Sequence, residues 1–199
     1  MASTVYFASA RDDKGMSLAE KLSKIYDRAG LAGCIAPGDL VAIKVHVGEP
    51  GNLSFMPPQL VKVMVDKVTA VGATPFLTDA NTLYTGGRSN AADHVRSAIS
   101  NGFGYAVTGA PFIVADGLLG WDAVTVPIRG RLLKEAKIAS AIFHADAMIV
   151  VSHFKGHELT GFGGAIKNLG MGCACRQGKQ VQHSEVKPRV KAERCIACR

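Results

Sequence analysis

Short apolar runs alternate with amphipathic segments along most of the chain. The apolar runs predict strands at residues 5–8, 40–47, 74–78, 112–115, 123–128 and 146–152. Apolar residues at helical spacing predict helices that begin at Ser17 and at Pro57, and over 90–99 and 132–143. Glu20 follows Ser17 by three positions, which is the pattern of a capping box. The alternation predicts an α/β fold with three layers, in which a mainly parallel sheet has helices on both faces.

Polar side chains follow three of these predicted strands, at the point where each strand ends. The side chains are Lys44, His46, Glu49 and Asn52 after one strand, Asp79 and Asn81 after another, and His153, Lys155 and His157 after a third. Ligands of open α/β sheets bind beyond the carboxyl ends of the strands. We therefore expect one site in which lysines neutralise an anionic ligand, histidines bind it or transfer protons, and carboxylates orient these groups.

A glycine-rich segment at residues 161–170 is the second candidate for chemistry. Gly163 and Gly164 would let backbone amides approach a ligand, and a helix that starts after them would favour an anion. Lys167 would add a positive charge, and Asn168 follows it. The segment is neither a Walker loop nor a full dinucleotide fingerprint. A flexible turn before a short helix is the alternative interpretation.

Composition and charge narrow the class of protein. The chain has 199 residues, of which 48% are hydrophobic and 20% charged, so it suits a globular domain better than a disordered or disulfide-dense chain. No apolar run reaches the roughly 18 residues of a membrane span, so we expect a cytoplasmic protein without membrane contact.

The net charge is +7, and residues 169–199 contain seven basic residues and two acidic ones. This tail has no aromatic side chain for base stacking, so a charged connector is favoured over a nucleic-acid arm.

Four of the five cysteines lie in the last 27 residues, which indicates metal or redox chemistry in a cytoplasmic chain. Cys195 and Cys198 match the first half of the bacterial ferredoxin motif C-x2-C-x2-C-x3-C-P, so we expect a 4Fe–4S cluster whose site is incomplete because the chain stops inside the motif. Alternatively, Cys173 and Cys175 join them in a zinc site, with His183 as a substitute ligand. A redox dithiol at Cys173 and Cys175 is a third option.

The polar segments together resemble a known family. KVHVGEPGN at 44–52, TDANT at 78–82, HFKGH at 153–157 and GFGGAIKNLGMG at 161–172 are similar to the family called domain of unknown function 362. The resemblance covers essentially the whole chain, and it implies a ferredoxin-like module with iron–sulfur clusters directly after this domain. We therefore expect an α/β ligand-binding domain at 1–171, then a basic linker and the start of a truncated ferredoxin-like module at 172–199.

A shorter resemblance concerns His157 and Lys167, which are similar to the pattern in nickel-pincer lactate racemase. There, a matching lysine and histidine hold the pincer cofactor. We take His46, His157 and Lys167 as candidate catalytic residues. The candidate ligand-binding residues are Lys44, Glu49, Asn52, Asp79, Asn81, His153, Lys155, Gly163, Gly164 and Asn168.

The predicted function is that of an iron–sulfur-associated redox protein, a possible oxidoreductase. It would bind a small anionic ligand or cofactor at the carboxyl edge of the sheet and exchange electrons with a redox partner protein through the 4Fe–4S module. The alternatives are a zinc-binding or non-catalytic scaffold with an acidic partner, and a metal-pincer isomerase-like enzyme.

Overall fold

The computed structural model describes residues 3–11, 15–158, 160–184 and 190–196. Within these ranges the strands are β1 (Leu40–Lys44), β2 (Thr74–Asp79), β3 (Phe112–Val114), β4 (Ala123–Pro127), β5 (Glu135–Ala139), β6 (Ala147–Val150), β7 (Lys155–His157) and β8 (Gly161–Gly163). The α-helices are α1 (Leu18–Arg28), α2 (Pro58–Ala70), α3 (Ala91–Ser100), α4 (Tyr105–Thr108), α5 (Ser140–Phe143), α6 (Ala165–Gly170) and α7 (Arg176–Gln182). Short 3-10 helices lie at Leu31–Cys34 and Ala192–Arg194.

Strand β1 lies inside a four-stranded parallel sheet of order β3-β2-β1-β6. The register sets Lys44 of β1 beside Thr78 of β2 on one side and Val150 of β6 on the other. The chain runs from β1 to β2 and β3 in one direction, then returns to the opposite side of β1 with β6. Such a reversal of strand order opens a crevice at the carboxyl ends of the strands. The predicted α/β fold is confirmed.

Helices cover both faces of this sheet. Val41 and Ile43 of β1 are fully buried in the main core, together with Val65 of α2. Successive side chains of a strand point to opposite faces, so Lys44 points away from α2. Its Nζ accordingly contacts the Asn168 side-chain oxygen, which belongs to α6. The sheet therefore buries an apolar face against α2 and presents a lysine to the other side.

Local sequence signals set the starts of the helices as predicted. Ser17 Oγ accepts the Glu20 backbone N–H, and the Glu20 carboxylate accepts the Ser17 backbone N–H, which completes the capping box of α1. The Asn90 side chain accepts the Asp93 backbone N–H at the start of α3. None of the helices in the described ranges is long and apolar enough to cross a membrane.

Two predicted elements are wrong. Residues 5–8 form no strand, and Val5 and Phe7 are 86% and 88% exposed. An apolar run does not reveal whether a strand is available to pair with it, and none of the strands in the described residues pairs with residues 5–8. The helix predicted over 132–143 is instead β5 followed by α5. Strand β5 pairs with β4 in an antiparallel hairpin outside the main sheet, and this pairing outweighs a weak helical pattern.

The packed part of the chain continues past residue 171. Cys173, Ala174 and Cys175 are buried, and the Cys175 side chain caps the start of α7. Helix α7 packs against β5. Residues through Gln182 therefore pack with the α/β domain, while the division into modules at 171/172 stays a prediction.

Candidate functional site

A cavity of about 260 Å³ lies at the carboxyl edge of the main sheet, beyond the ends of β1 and β2. Further lining comes from the loop after β2, from the segment that follows β6, and from α7. Ten predicted site residues line it, namely Lys44, His46, Asp79, His153, Lys155, His157, Gly163, Gly164, Lys167 and Asn168. The structure thus brings residues from three separate strand ends and the glycine-rich segment into one cavity.

A buried ion-pair network forms part of the cavity wall. Lys44 Nζ lies 2.9 Å from one Asp79 carboxylate oxygen, and Arg88 Nη1 lies 3.1 Å from the other. Lys44 is fully buried, and Asp79 and Arg88 are 3% and 4% exposed. Burial alone would raise the pKa of Asp79, but the neighbouring cations hold this pKa well below its ordinary value. Asp79 is therefore an ionised counter-charge shared by two buried cations.

Glu49 and Tyr84 hold Arg88 from the other side. Arg88 Nε donates to a Glu49 carboxylate oxygen at 2.9 Å, and Nη2 donates to the Tyr84 hydroxyl oxygen at 2.9 Å. The Tyr84 hydroxyl donates in turn to the same Glu49 oxygen. Burial raises the pKa of Tyr84 to about 12, so this hydroxyl stays protonated at neutral pH. Two carboxylates and a phenol therefore fix one guanidinium beside the cavity.

His46 is held as a neutral ring. Its Nδ1 accepts the Gly48 backbone N–H at 3.1 Å, so the neutral ring carries its hydrogen on Nε2, which lies 3.4 Å from Arg88 Nη2. Burial lowers the pKa of His46 to about 4, and the Arg88 charge acts in the same direction. The His46 and His153 rings pack in a T-shaped arrangement, and burial lowers the pKa of His153. His46 therefore presents a neutral imidazole to the cavity.

The hairpin formed by β7 and β8, with the following helix α6, carries Lys155, His157 and Lys167 to the cavity. A Cβ atom at Gly163 would lie 3.9 Å from the nearest side-chain atoms, and one at Gly164 would lie 4.0 Å from the nearest backbone atom. These distances are ordinary van der Waals contacts, so a Cβ atom at either glycine would not clash with the wall. Both glycines line the cavity, and the approach of a ligand to their backbone stays a prediction.

Positive charge exceeds negative charge in the cavity wall. Among the described residues, five basic side chains line it against one carboxylate, Asp79; the basic side chains are Lys44, Arg88, Lys155, Lys167 and Lys179. Lys44 and Arg88 are paired with Asp79, but Lys155, Lys167 and Lys179 have no carboxylate within 4.0 Å in the described residues. Lys179 is buried and donates to the Ala174 carbonyl oxygen. The arrangement is suited to an anion.

Three predicted ligand-binding residues lie outside the lining. Glu49 accepts hydrogen bonds from Arg88, which itself lines the cavity. The Asn52 side-chain oxygen accepts the Ser54 backbone N–H at 2.6 Å in an exposed turn. Asn81 is buried, and its Nδ2 donates to Asp116 at 2.9 Å. Asn52 and Asn81 therefore stabilise local backbone or packing, and the structure does not bring them to the cavity.

The cysteines do not meet at one place in the described part of the chain. Cys175 Sγ accepts the Gly178 backbone N–H at 3.4 Å, and burial raises the pKa of the Cys173 thiol. Cys195 is exposed, and Cys198 lies outside the described residues. No group of three or more His, Cys, Asp and Glu within those residues could hold a metal ion. The described thiols do not form the four-thiolate set of a 4Fe–4S cluster, and the cluster, zinc and dithiol interpretations stay predictions.

Sequence reasoning missed Arg88 and Lys179 as parts of the site. Arg88 follows a Gly-Gly pair in the loop after β2, so its position beyond a strand end was the available signal. Lys179 and His183 lie in the segment predicted as a linker, and both line the cavity because α7 packs back onto the domain. A local sequence pattern does not predict that a later helix packs back against the domain.

Comparison with known proteins adds a family assignment. The family model described as "Domain of unknown function (DUF362)" matches residues 41–197, which include every cavity residue named above. Neither the curated proteins nor the solved structures contained a match to the chain.

Proposed function

Since this chain belongs to the family described as domain of unknown function (DUF362), we propose a function from the geometry of the cavity: the α/β domain binds a small anionic ligand at the carboxyl edge of its main sheet. The observation that carries this proposal is the excess of cations in the wall. Lys155 and Lys179 have no carboxylate partner among the described residues. A carboxylate or phosphate of a ligand would supply the missing negative charge.

The buried network supports the same proposal. Asp79 and Glu49 neutralise Arg88, and Asp79 also neutralises Lys44, so these charges hold the wall in place. Lys155 lies on the hairpin and is free of such pairing in the described residues, so it is the cation best suited to meet a ligand. A volume of about 260 Å³ suits a small organic acid.

We expect titration calorimetry at low salt to detect binding of oxalate or inorganic phosphate to the wild-type protein. Lys155→Met should weaken that binding about tenfold or more, because a charge-assisted hydrogen bond contributes roughly 1.5–3 kcal/mol. Lys24→Met is the matched control, since Lys24 is an exposed residue of α1 outside the cavity lining, and it should bind like the wild type. Absence of binding by both anions, or equal binding by Lys155→Met, would contradict the proposal.

The second element of the proposal is a redox role in the cytoplasm. Cys195-x2-Cys198 and the family membership support a ferredoxin-like module that binds a 4Fe–4S cluster and exchanges electrons with a partner protein. This element rests on the sequence pattern and not on the geometry of the cavity.

Anaerobic reconstitution of the full-length natural protein with iron and sulfide should produce visible charge-transfer absorption. The Cys195→Ser/Cys198→Ser variant should lose this absorption, because thiolates are the cluster ligands. Cys34→Ser, which changes an exposed thiol far along the chain, should keep it. A colourless protein that retains only zinc would support the zinc-binding alternative instead.

A further inference from the structure

Lys167 and His157 contact each other inside the cavity through Lys167 Nζ and His157 Nε2. They come from different elements, because His157 ends β7 and Lys167 lies in α6. On the other side of the ring, the Thr160 backbone N–H donates to His157 Nδ1 at 3.3 Å. One ring nitrogen thus faces a backbone donor and the other faces the lysine nitrogen.

These two contacts assign the protons of the pair. A backbone N–H can only donate, so His157 Nδ1 carries a lone pair, and the neutral ring carries its hydrogen on Nε2. That hydrogen points at Lys167 Nζ, and the contact is a hydrogen bond when Nζ is an uncharged amine with a lone pair. Burial and the nearby Lys155 charge both lower the pKa of Lys167, in agreement with this assignment. An uncharged amine is a nucleophile, whereas an ammonium is not.

We propose that Lys167 forms a Schiff base with a small 2-oxo acid in this cavity, an inference that rests on the proposed anion binding. The substrate class follows from the two kinds of lysine that the cavity combines. Lys155 would bind the carboxylate, and Lys167 would attack the adjacent carbonyl carbon. In a 2-oxo acid the carboxylate carbon is bonded directly to the keto carbon. Lys155 and Lys167 can therefore each contact one of these groups within a cavity of about 260 Å³.

The step balances without any oxidant or reductant. The Lys167 nitrogen forms a bond to the carbonyl carbon, and His157 Nε2 donates its proton to the carbonyl oxygen. Nε2 then takes one proton back from the nitrogen, which leaves a carbinolamine. Loss of the hydroxyl with the second amine hydrogen releases water and forms the C=N bond. Both amine hydrogens leave with the oxygen, and His157 returns to its starting state.

Borohydride trapping tests this step. The wild-type protein is incubated with pyruvate, reduced with sodium borohydride, and examined by intact mass measurement and peptide mapping. We expect one reduced pyruvate adduct per chain, mapped to Lys167. The adduct should be absent in Lys167→Arg, retained in Lys24→Met, and formed about a hundredfold more slowly in His157→Asn. Lactate, which has a hydroxyl in place of the keto group, should give no adduct.

The outcomes separate this proposal from the proposed anion site. Oxalate binding without an adduct on Lys167 overturns the Schiff base and leaves the anion site standing. Failure of both oxalate binding and trapping overturns both. An adduct spread over many lysines, and formed equally in Lys167→Arg, also overturns the Schiff base. Peptide mapping of the reduced adduct on the wild-type protein tests the Schiff base even if a variant does not fold.

Discussion

Asp79→Asn is expected to lower the free energy of unfolding by about 3–5 kcal/mol. The substitution keeps the shape of the side chain but removes the negative charge that Lys44 and Arg88 share. Both cations are almost completely buried, so water cannot replace the lost partner. Urea denaturation at neutral pH, followed by circular dichroism, measures the effect.

Asp66→Asn is the matched control for this prediction. Asp66 is an exposed residue of α2 that pairs with Lys62, and such pairs contribute within about 1 kcal/mol. The pKa of Asp79 lies well below its ordinary value, so its contribution is present at neutral pH and is lost as the pH falls through that lowered pKa. The gap between wild type and Asp79→Asn should therefore narrow only below about pH 4. Equal unfolding free energies at neutral pH would show that the two cations do not depend on this carboxylate.

Gly172→Ala is expected to destabilise the protein by about 1–3 kcal/mol and to displace Lys44. A Cβ atom at this position would overlap the Asn168 carbonyl oxygen and would lie 2.7 Å from Lys44 Nζ. The Asn168 side chain is held by Lys44 and by the Ser152 hydroxyl, so this part of α6 has little freedom to move away. Thermal unfolding gives the change in stability, and an oxalate titration reports on the displaced lysine.

Gly170→Ala tests whether the close approach is the cause. Gly170 lies two residues earlier, and a Cβ atom there would meet nothing within 4 Å. Because Gly170 is also the last residue of α6, alanine should be neutral or slightly stabilising. If both alanine variants unfold like the wild type, the backbone around residue 172 is looser than its contacts imply.

The candidate site could be predicted to the extent that it follows strand ends. Lys44 and Asp79 end neighbouring parallel strands, and His153 comes three residues after β6. Parallel strands bring their carboxyl ends to one edge, so a local pattern was enough to place these side chains together. The same reasoning failed for Asn52 and Asn81, because a position in a loop after a strand does not determine whether the side chain points toward the cavity.

Other parts of the site depended on contacts between distant segments. Arg88 acquires its role only when Asp79 and Glu49 converge on its guanidinium, and Glu49 lies 39 positions away in the chain. Lys179 reaches the cavity because α7 packs against β5, a strand that the sequence pattern predicted as part of a helix. Pairing with β4 decided that conformation, and a single segment does not encode its partner.

The amino-acid sequence by itself determined the class of fold, the capped helix starts and the kinds of chemical group that line the cavity. These properties depend on spacing and residue type within a few positions of the chain, which is the range over which periodicity and capping act. Only the tertiary structure decided which of these groups are neutralised. Asp79 neutralises Lys44 and Arg88, whereas Lys155 and Lys167 meet the cavity with no carboxylate partner in the described residues. Charge compensation depends on distances of a few ångströms between residues far apart in sequence, and only folding sets those distances.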